Sequence, residues 1–326
     1  MKDSAAVKVY FLGSGKLGIP VIDALLDDPR IEIMGVGSQP DQPVGRKLVI
    51  TPTVFASHVL SKGLHVDRIN SVNDECFYTK LTTLNVELLI VVAFGQLLKE
   101  KLLTLPQFGC LNVHASILPH FRGACPISSV ILNNDDRTGV TFMRMDKGLD
   151  TGPIYQTLTT PVKTDENSGQ LEARLARLAA RKISDIVWQI ARENLEARPQ
   201  PYTDEPAVHK IRKKAGAVNW NYSASHIANM VRAYTPWPKV YATFPGKKGK
   251  LRRIQITEAH VIDETLPDTL PGQVLQPLRN GIAIACSLGI LKIIKLIPEG
   301  KSEMNADDYL RGHALPMGTI LSSAQS

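Results

Sequence analysis

Asn112 and His114 stand two residues apart where an apolar run passes into the segment Asn112-Val-His-Ala-Ser-Ile-Leu-Pro119. On an extended backbone that spacing turns both side chains to one face. One is a neutral amide donor, the other an imidazole able to take or give a proton near neutral pH. The most suggestive acid to join them is Asp150, in the turn Asp146-Lys-Gly-Leu-Asp-Thr-Gly152. A carboxylate beside a histidine fixes its tautomer and makes it a better proton acceptor. An amide aimed at a developing oxyanion stabilises the tetrahedral intermediate of acyl transfer. Ser116 and Cys125 are candidate nucleophiles, but nothing around either marks it as activated. The set therefore suits direct attack by a substrate amine. A lone histidine or asparagine in a loop is also a common structural device, and spacing alone leaves both readings open.

The elements that must position these residues alternate. Strand-like runs at 7–12, 31–36, 66–69, 87–94 and 110–113 are separated by helical patterns to about Leu26, from Thr51-Pro52 through Leu60, from about Asn73 to Leu84 and near Leu97–Leu103. Strands alternating with helices of this length imply βαβ units and a parallel sheet. Leu88–Ala93 is apolar on both faces, as a central strand should be. After a helix over 126–132, strands are expected at 139–145 and 154–162, then one long amphipathic helix from Ser168 to about Glu196. Three prolines in Arg198-Pro-Gln-Pro-Tyr-Thr-Asp-Glu-Pro206 mark a stiff linker. Beyond a helix at about 225–234, short alternating runs broken by Gly and Pro read as a small β-barrel. The expected division is 1–196 for a Rossmann-like α/β catalytic domain, 197–208 for the linker and 209–326 for an OB-like barrel.

At 326 residues, two domains are the natural prior. No apolar run reaches transmembrane length, and the N-terminus carries no signal-like apolar segment. Cys76, Cys110, Cys125 and Cys286 are scattered without metal-ligand spacing, against a zinc site or a disulfide scaffold. A cytoplasmic, metal-free monomer away from membranes is expected. Charge is uneven: residues 206–326 hold 16 Lys/Arg against 8 Asp/Glu, while residues 1–205 hold 22 against 23. A basic second domain suggests a polyanionic partner, although a merely soluble basic domain has the same composition.

Gly13-x-Gly15-x-x-Gly18, after the first strand and before a helix, has the dinucleotide-binding spacing. The acid that would meet a ribose could be Asp41, but it lies past Gln39-Pro40, in the loop. The same glycines could simply permit a tight strand-to-helix turn.

Asn-Val-His-Ala-Ser-Ile-Leu-Pro, continuing to Arg122-Gly-Ala-Cys-Pro-Ile127, together with Thr138-Gly-Val-Thr and Met145-Asp-Lys-Gly-Leu-Asp-Thr-Gly152, resembles the 10-formyltetrahydrofolate-dependent formyltransferases. The loop Ser38–Arg46, the strand end Val91-Val-Ala-Phe-Gly95 and Ala233-Tyr-Thr-Pro-Trp-Pro238 extend the resemblance nearly end to end. It is closest to the members that formylate initiator methionyl-tRNA. The resemblance implies that Asn112, His114 and Asp150 are the catalytic triad, that Ser116, Ile117, Leu118 and Pro119 contact the folate, and that the pterin lies near Val91, Val92, Ala93, Phe94 and Gly95. It implies tRNA contact by the Arg46-Lys47 loop. The basic domain would hold the tRNA backbone through Lys210, Arg212, Lys213, Lys214, Lys247, Lys248, Lys250, Arg252 and Arg253. Three features depart from the family pattern: Gly13-Ser-Gly15-Lys stands where Gly-Thr-Pro is usual, Cys125 replaces a small Ala, and the Arg46-Lys47 loop is short. Competing readings are formyl transfer to an amino-sugar nucleotide, hydrolysis of formyl-folate, a nicotinamide oxidoreductase built on Gly13–Gly18, and a non-enzymatic RNA-binding protein.

Overall fold

The structure, a computed structural model, describes residues 5–45, 47–245, 251–275, 280–313 and 315–322. The chain forms two compact units. The first comprises residues 1–126, 137–161 and 171–209, and the second 127–136, 162–170 and 210–326.

In the first unit the strands are β1 (Val7–Gly13), β2 (Ile31–Ser38), β3 (Gln42–Val44), β4 (Val49–Thr51), β5 (Asp67–Arg68), β6 (Leu88–Val92), β7 (Cys110–His114), β8 (Arg137–Arg144) and β9 (Ile154–Pro161). Seven of them make one sheet in the order β5-β2-β1-β6-β7-β8-β9. Pairing is parallel from β5 through β7 and antiparallel from β7 through β9. Every residue of β6 and β7 is buried, as strands covered on both faces must be. The strand order reverses at β1, so the crevice beyond the carboxyl ends of β1 and β6 is where an open α/β sheet takes a ligand.

Helices α1 (Gly18–Leu26), α2 (Val54–Ser61), α3 (Glu75–Thr83) and α4 (Glu100–Thr104) fall between the parallel strands; α5 (Pro126–Leu132) follows β7. The helix expected from Thr51-Pro52 starts two residues later. Thr53 is its N-cap, accepting from the Ala56 amide at 3.0 Å, because Thr51 is already paired with Gln42 in the β3–β4 hairpin. The single long helix expected from Ser168 is instead α6 (Ser168–Ala180) and α7 (Ile183–Arg192). The apolar positions explain the break. Leu171 and Leu175 share one stripe, whereas Ile183, Ile186 and Ile190 continue it roughly a quarter-turn out of phase at about 100° per residue. Two non-helical residues restore the phase. The linker is no free spacer: Arg198 exchanges main-chain hydrogen bonds with Ile154 at 2.7 and 2.8 Å, and Val208 with Arg122 and Ala124 at 2.7 and 2.8 Å.

In the second unit, α8 (Ala224–Ala233), capped by Ser223, packs on an antiparallel sheet of β10 (Val240–Pro245), β11 (Leu251–Asp263), β12 (Ile282–Ala285) and β13 (Ile290–Pro298). β14 (Met304–Asn305) pairs with β13, and α9 (Ala306–Gly312) follows it. The order is β10-β11-β13-β12. Bridges Val274–Ile284, Gln273–Ile320 and Thr243–Ser322 carry the edge of β12 round to β10, curling the sheet into a small barrel. Register shifts in β11 at 256–259 and 261–263 supply the bends that closure needs.

Candidate active site

The pairing of Val91 with Asn112 brings the carboxyl ends of β6 and β7 side by side. The two stretches that the resemblance assigns to one folate, Val91–Gly95 and Asn112–Pro119, therefore leave the sheet as neighbours. Asn112 and His114 are only 8% and 6% exposed. Asp150, on the turn between β8 and β9, joins them: its Oδ1 accepts from Asn112 Nδ2 at 3.2 Å and its Oδ2 from the Gly123 amide at 2.8 Å. The other approach is looser than the sequence reading implies. His114 Nδ1 lies 3.6 Å from Asp150 Oδ2, an ion-pair distance rather than a hydrogen bond, while Nε2 is 3.0 Å from the Phe121 carbonyl. A carbonyl only accepts, so Nε2 carries the ring proton and Nδ1 is the nitrogen facing the carboxylate. Asp150 has φ +55° and Phe121 φ +56°, both in the left-handed region that costs an L-residue about 1–2 kcal/mol. Such conformations persist where surroundings fix them, and they gather at working sites.

The folate-turn candidates are held from beneath. Ser116 Oγ donates to the His120 carbonyl at 2.7 Å. Thr141, on the adjoining β8, donates to the Ser116 carbonyl at 2.7 Å and accepts from the Leu118 amide at 3.2 Å. Ile117 and Pro119 remain half-buried, with Leu118 turned inward. Across from them the exposed Ala93 and Gly95 alternate with the buried Val92 and Phe94. Gln39 Nε2 ties the Phe94 carbonyl at 2.7 Å, and Gly95 (φ +87°) leaves room for it: a Cβ there would lie 2.9 Å from that nitrogen. Apolar edges alternating with exposed main chain fit a flat heteroaromatic ring that needs both stacking and backbone partners.

The glycine-rich loop has a packing explanation. A Cβ on Gly13 or Gly18 would meet the Phe55 ring at 3.1 and 3.2 Å, and one on Gly15 would meet Ala93 Cβ at 3.0 Å. Beside the α1 N-terminus, where a pyrophosphate would sit, stands the half-buried Glu172 carboxyl, which burial pushes up against the pull of Lys16 and the Leu17 amide. Asp41 pairs with Arg68 Nε at 2.5 Å instead of waiting for a ribose. Burial pushes the Cys110 and Cys286 thiols up to about 12, away from the thiolate form that makes a nucleophile. Among the described residues, no group of three His, Cys, Asp or Glu is arranged to hold a metal ion, and no helix is long and apolar enough to cross a membrane.

Of the basic residues proposed for RNA, Lys47, Lys210, Arg212, Lys213 and Lys214 are exposed. Arg253 stacks over Tyr241, 3.8 Å from the ring centroid, and Arg252 draws down a Tyr309 hydroxyl that burial pushes up, so these two also serve the barrel. Arg46, Lys247, Lys248 and Lys250 lie outside the described residues. Sequence reasoning missed Gln200 and gave no role to Phe121, Gly123 or Thr141, whose parts are played by main-chain groups or across long separations. The Arg122-Gly123 pair was in view only as a motif.

Residues 7–187 match the family model described as formyl transferase, and residues 210–314 the one described as formyl transferase, C-terminal domain. The protein named methionyl-tRNA formyltransferase from Magnetococcus marinus is 33% identical over 97% of this chain and 98% of its own length. The chain belongs to the methionyl-tRNA formyltransferase family. The family member from Pseudoalteromonas translucida is 35% identical, with 97% of each chain covered. Among solved structures, the N-formyltransferase from Helicobacter canadensis, in complex with folinic acid and dTDP-3-aminofucose, aligns with TM-score 0.62 at 15% identity, over 88% of this chain and 99% of that one. HypX from Aquifex aeolicus in complex with tetrahydrofolic acid aligns with TM-score 0.63 at 14% identity, over 94% of this chain and 47% of that one. At those identities the two structures speak for the fold.

Proposed function

We propose that this protein moves the formyl group of 10-formyltetrahydrofolate to the α-amine of initiator methionyl-tRNA, with Asn112, His114 and Asp150 as its catalytic residues. The observation that carries the assignment is the Asp150 carboxylate, which gathers the Asn112 amide, the Gly123 amide and His114 Nδ1 at the mouth of the sheet. The amine lone pair forms a bond to the formyl carbon, and the carbonyl electrons move onto oxygen. Asn112 has a second amide hydrogen besides the one held by Asp150, and it meets that oxyanion. His114 takes the proton from the attacking nitrogen on Nδ1, where the Asp150 carboxylate balances the imidazolium. The proton then passes to N10 as the C–N10 bond breaks, releasing tetrahydrofolate.

The folate lies between the Ser116–Pro119 turn and Val91–Gly95. The tRNA is gripped through its phosphates by the basic C-terminal part of the second unit, residues 210–326, and by the Arg46-Lys47 loop, in a cytoplasmic monomer. Formylation of initiator methionyl-tRNA, run beside an amino-sugar nucleotide acceptor, tests the reading. Asn112→Ala and His114→Ala should each lower kcat on the order of 100-fold or more. Near-full transfer by either variant, or preference for the sugar, would refute it.

A further inference from the structure

Three consecutive residues, Phe121, Arg122 and Gly123, each reach a different partner at the site. The Phe121 carbonyl takes His114 Nε2–H, the Gly123 amide gives to Asp150, and the Arg122 side chain turns away towards the linker. There its Nε and Nη2 both donate to Gln200 Oε1, at 3.1 and 2.7 Å. That fork fixes the orientation of the Gln200 amide, because the oxygen must face the guanidinium. The nitrogen consequently points the other way, and Gln200 Nε2 donates to two carbonyls of the catalytic turn, Asp150 O at 2.8 Å and Gly152 O at 2.7 Å. One half-buried side chain thus binds both arms of the site: the segment that contacts His114, and the turn that holds Asp150 in its left-handed conformation. Nothing else among the described hydrogen bonds ties the Asp150 carbonyl.

We propose that Gln200 is a positioning residue for the formyl transfer, acting through the Asp150 turn and Arg122 without touching either substrate. This rests on the formyl-transfer reading of the same site. Its chemical content is that a carboxylate misplaced by about 1 Å loses its alignment with His114 and Asn112, which costs up to about 100-fold in rate.

The test uses the full-length protein with initiator methionyl-tRNA and 10-formyltetrahydrofolate. Gln200→Leu removes every bond of the amide. Gln200→Glu, nearly isosteric, keeps the acceptor for Arg122 and loses the donor to the two carbonyls, so it probes the role even where Leu impairs folding. Both should lower kcat about 10- to 100-fold while the KM of each substrate stays within about twofold. A purely structural role would not reproduce the second readout: in an Asp150→Asn background, Gln200→Glu should cost less than about threefold further, since its effect travels through the carboxylate. Full kcat in Gln200→Glu, a loss expressed only in KM, or multiplicative losses in the double variant would each overturn the proposal. The unsubstituted protein separates the two claims. Its failure to formylate refutes the parent reading, whereas activity that survives at Gln200→Glu refutes only this one.

Discussion

Thr141→Val is a sharp test of how the folate turn is built. Thr141 is fully buried, and its hydroxyl serves the Ser116 carbonyl and the Leu118 amide together, with Thr157 Oγ1 a further 3.3 Å contact. Valine has nearly the same shape, so packing against Ser116–Pro119 is preserved while both hydrogen bonds vanish. A buried polar group left unsatisfied costs about 1–3 kcal/mol, which gives about 2–6 kcal/mol for the pair. For a unit of this size about 1 kcal/mol corresponds to roughly 2–4 °C, so Tm should fall on the order of 5–15 °C. Where the turn escapes part of that cost by opening to water, the loss reappears as a higher folate KM, because Ile117 and Pro119 no longer present a fixed surface. Thermal unfolding with and without a folate analogue, alongside steady-state formylation, measures both. A variant with Tm within 1 °C of the parent and an unchanged folate KM would refute the argument that Thr141 pins the turn.

Asp150→Asn should keep the fold, since asparagine tolerates the left-handed φ and still accepts from Gly123, yet lose about 100-fold or more in kcat; retention of more than a tenth of the rate would contradict the role of the charge. Burial pushes the Glu172 carboxyl up against the pull of Lys16 and the Leu17 amide. A carboxyl raised in the folded chain binds its proton more tightly there, so its contribution is present at low pH and is lost as pH rises from the ordinary carboxylate range through the raised value. Glu172→Gln should therefore unfold at or above the parent Tm at pH 7–8, with the difference closing towards pH 4 in a thermal scan. Lys213→Ala with Lys214→Ala should leave Tm unchanged and flatten the salt dependence of tRNA binding by about two phosphate contacts, whereas Arg253→Ala should also lower Tm through its lost stacking on Tyr241.

The alternation of strand and helix was legible because buried parallel strands are apolar on both faces, and Leu88–Val92 is buried throughout. The boundaries that shifted were decided by pairing partners far away in sequence: Thr51 belongs to a hairpin with Gln42, which no local propensity announces. In the site, Asn112 and His114 were readable from their two-residue spacing, and Asp150 from the family motif. Gln200 was not, since it acts on main-chain carbonyls and leaves no pattern of residue types, and Thr141 was in view only inside the Thr138-Gly-Val-Thr motif, without its grip on the Ser116–Leu118 main chain. The glycine motif was the most misleading signal. Its spacing is that of a phosphate loop, but its cause is close packing: Gly13 and Gly18 lie against the Phe55 ring and Gly15 against Ala93, partners 35 residues or more away in the chain that periodicity cannot see.

The two compact units are threaded through each other in sequence. Residues 127–136 and 162–170 belong with the barrel although both precede the linker, and residues 198–209 belong with the sheet. A ribosome making this chain releases parts of the second unit long before the strands they pack with exist, so that unit cannot complete its core until synthesis is almost finished. Recombination faces the same constraint. A crossover at residue 196 would graft a foreign strap, and with it a foreign partner for the Asp150 turn, onto an otherwise intact catalytic sheet. Exchange of acceptor specificity between relatives by swapping their C-terminal halves should then succeed only where the junction falls after His209 and the two inserted segments travel with the barrel.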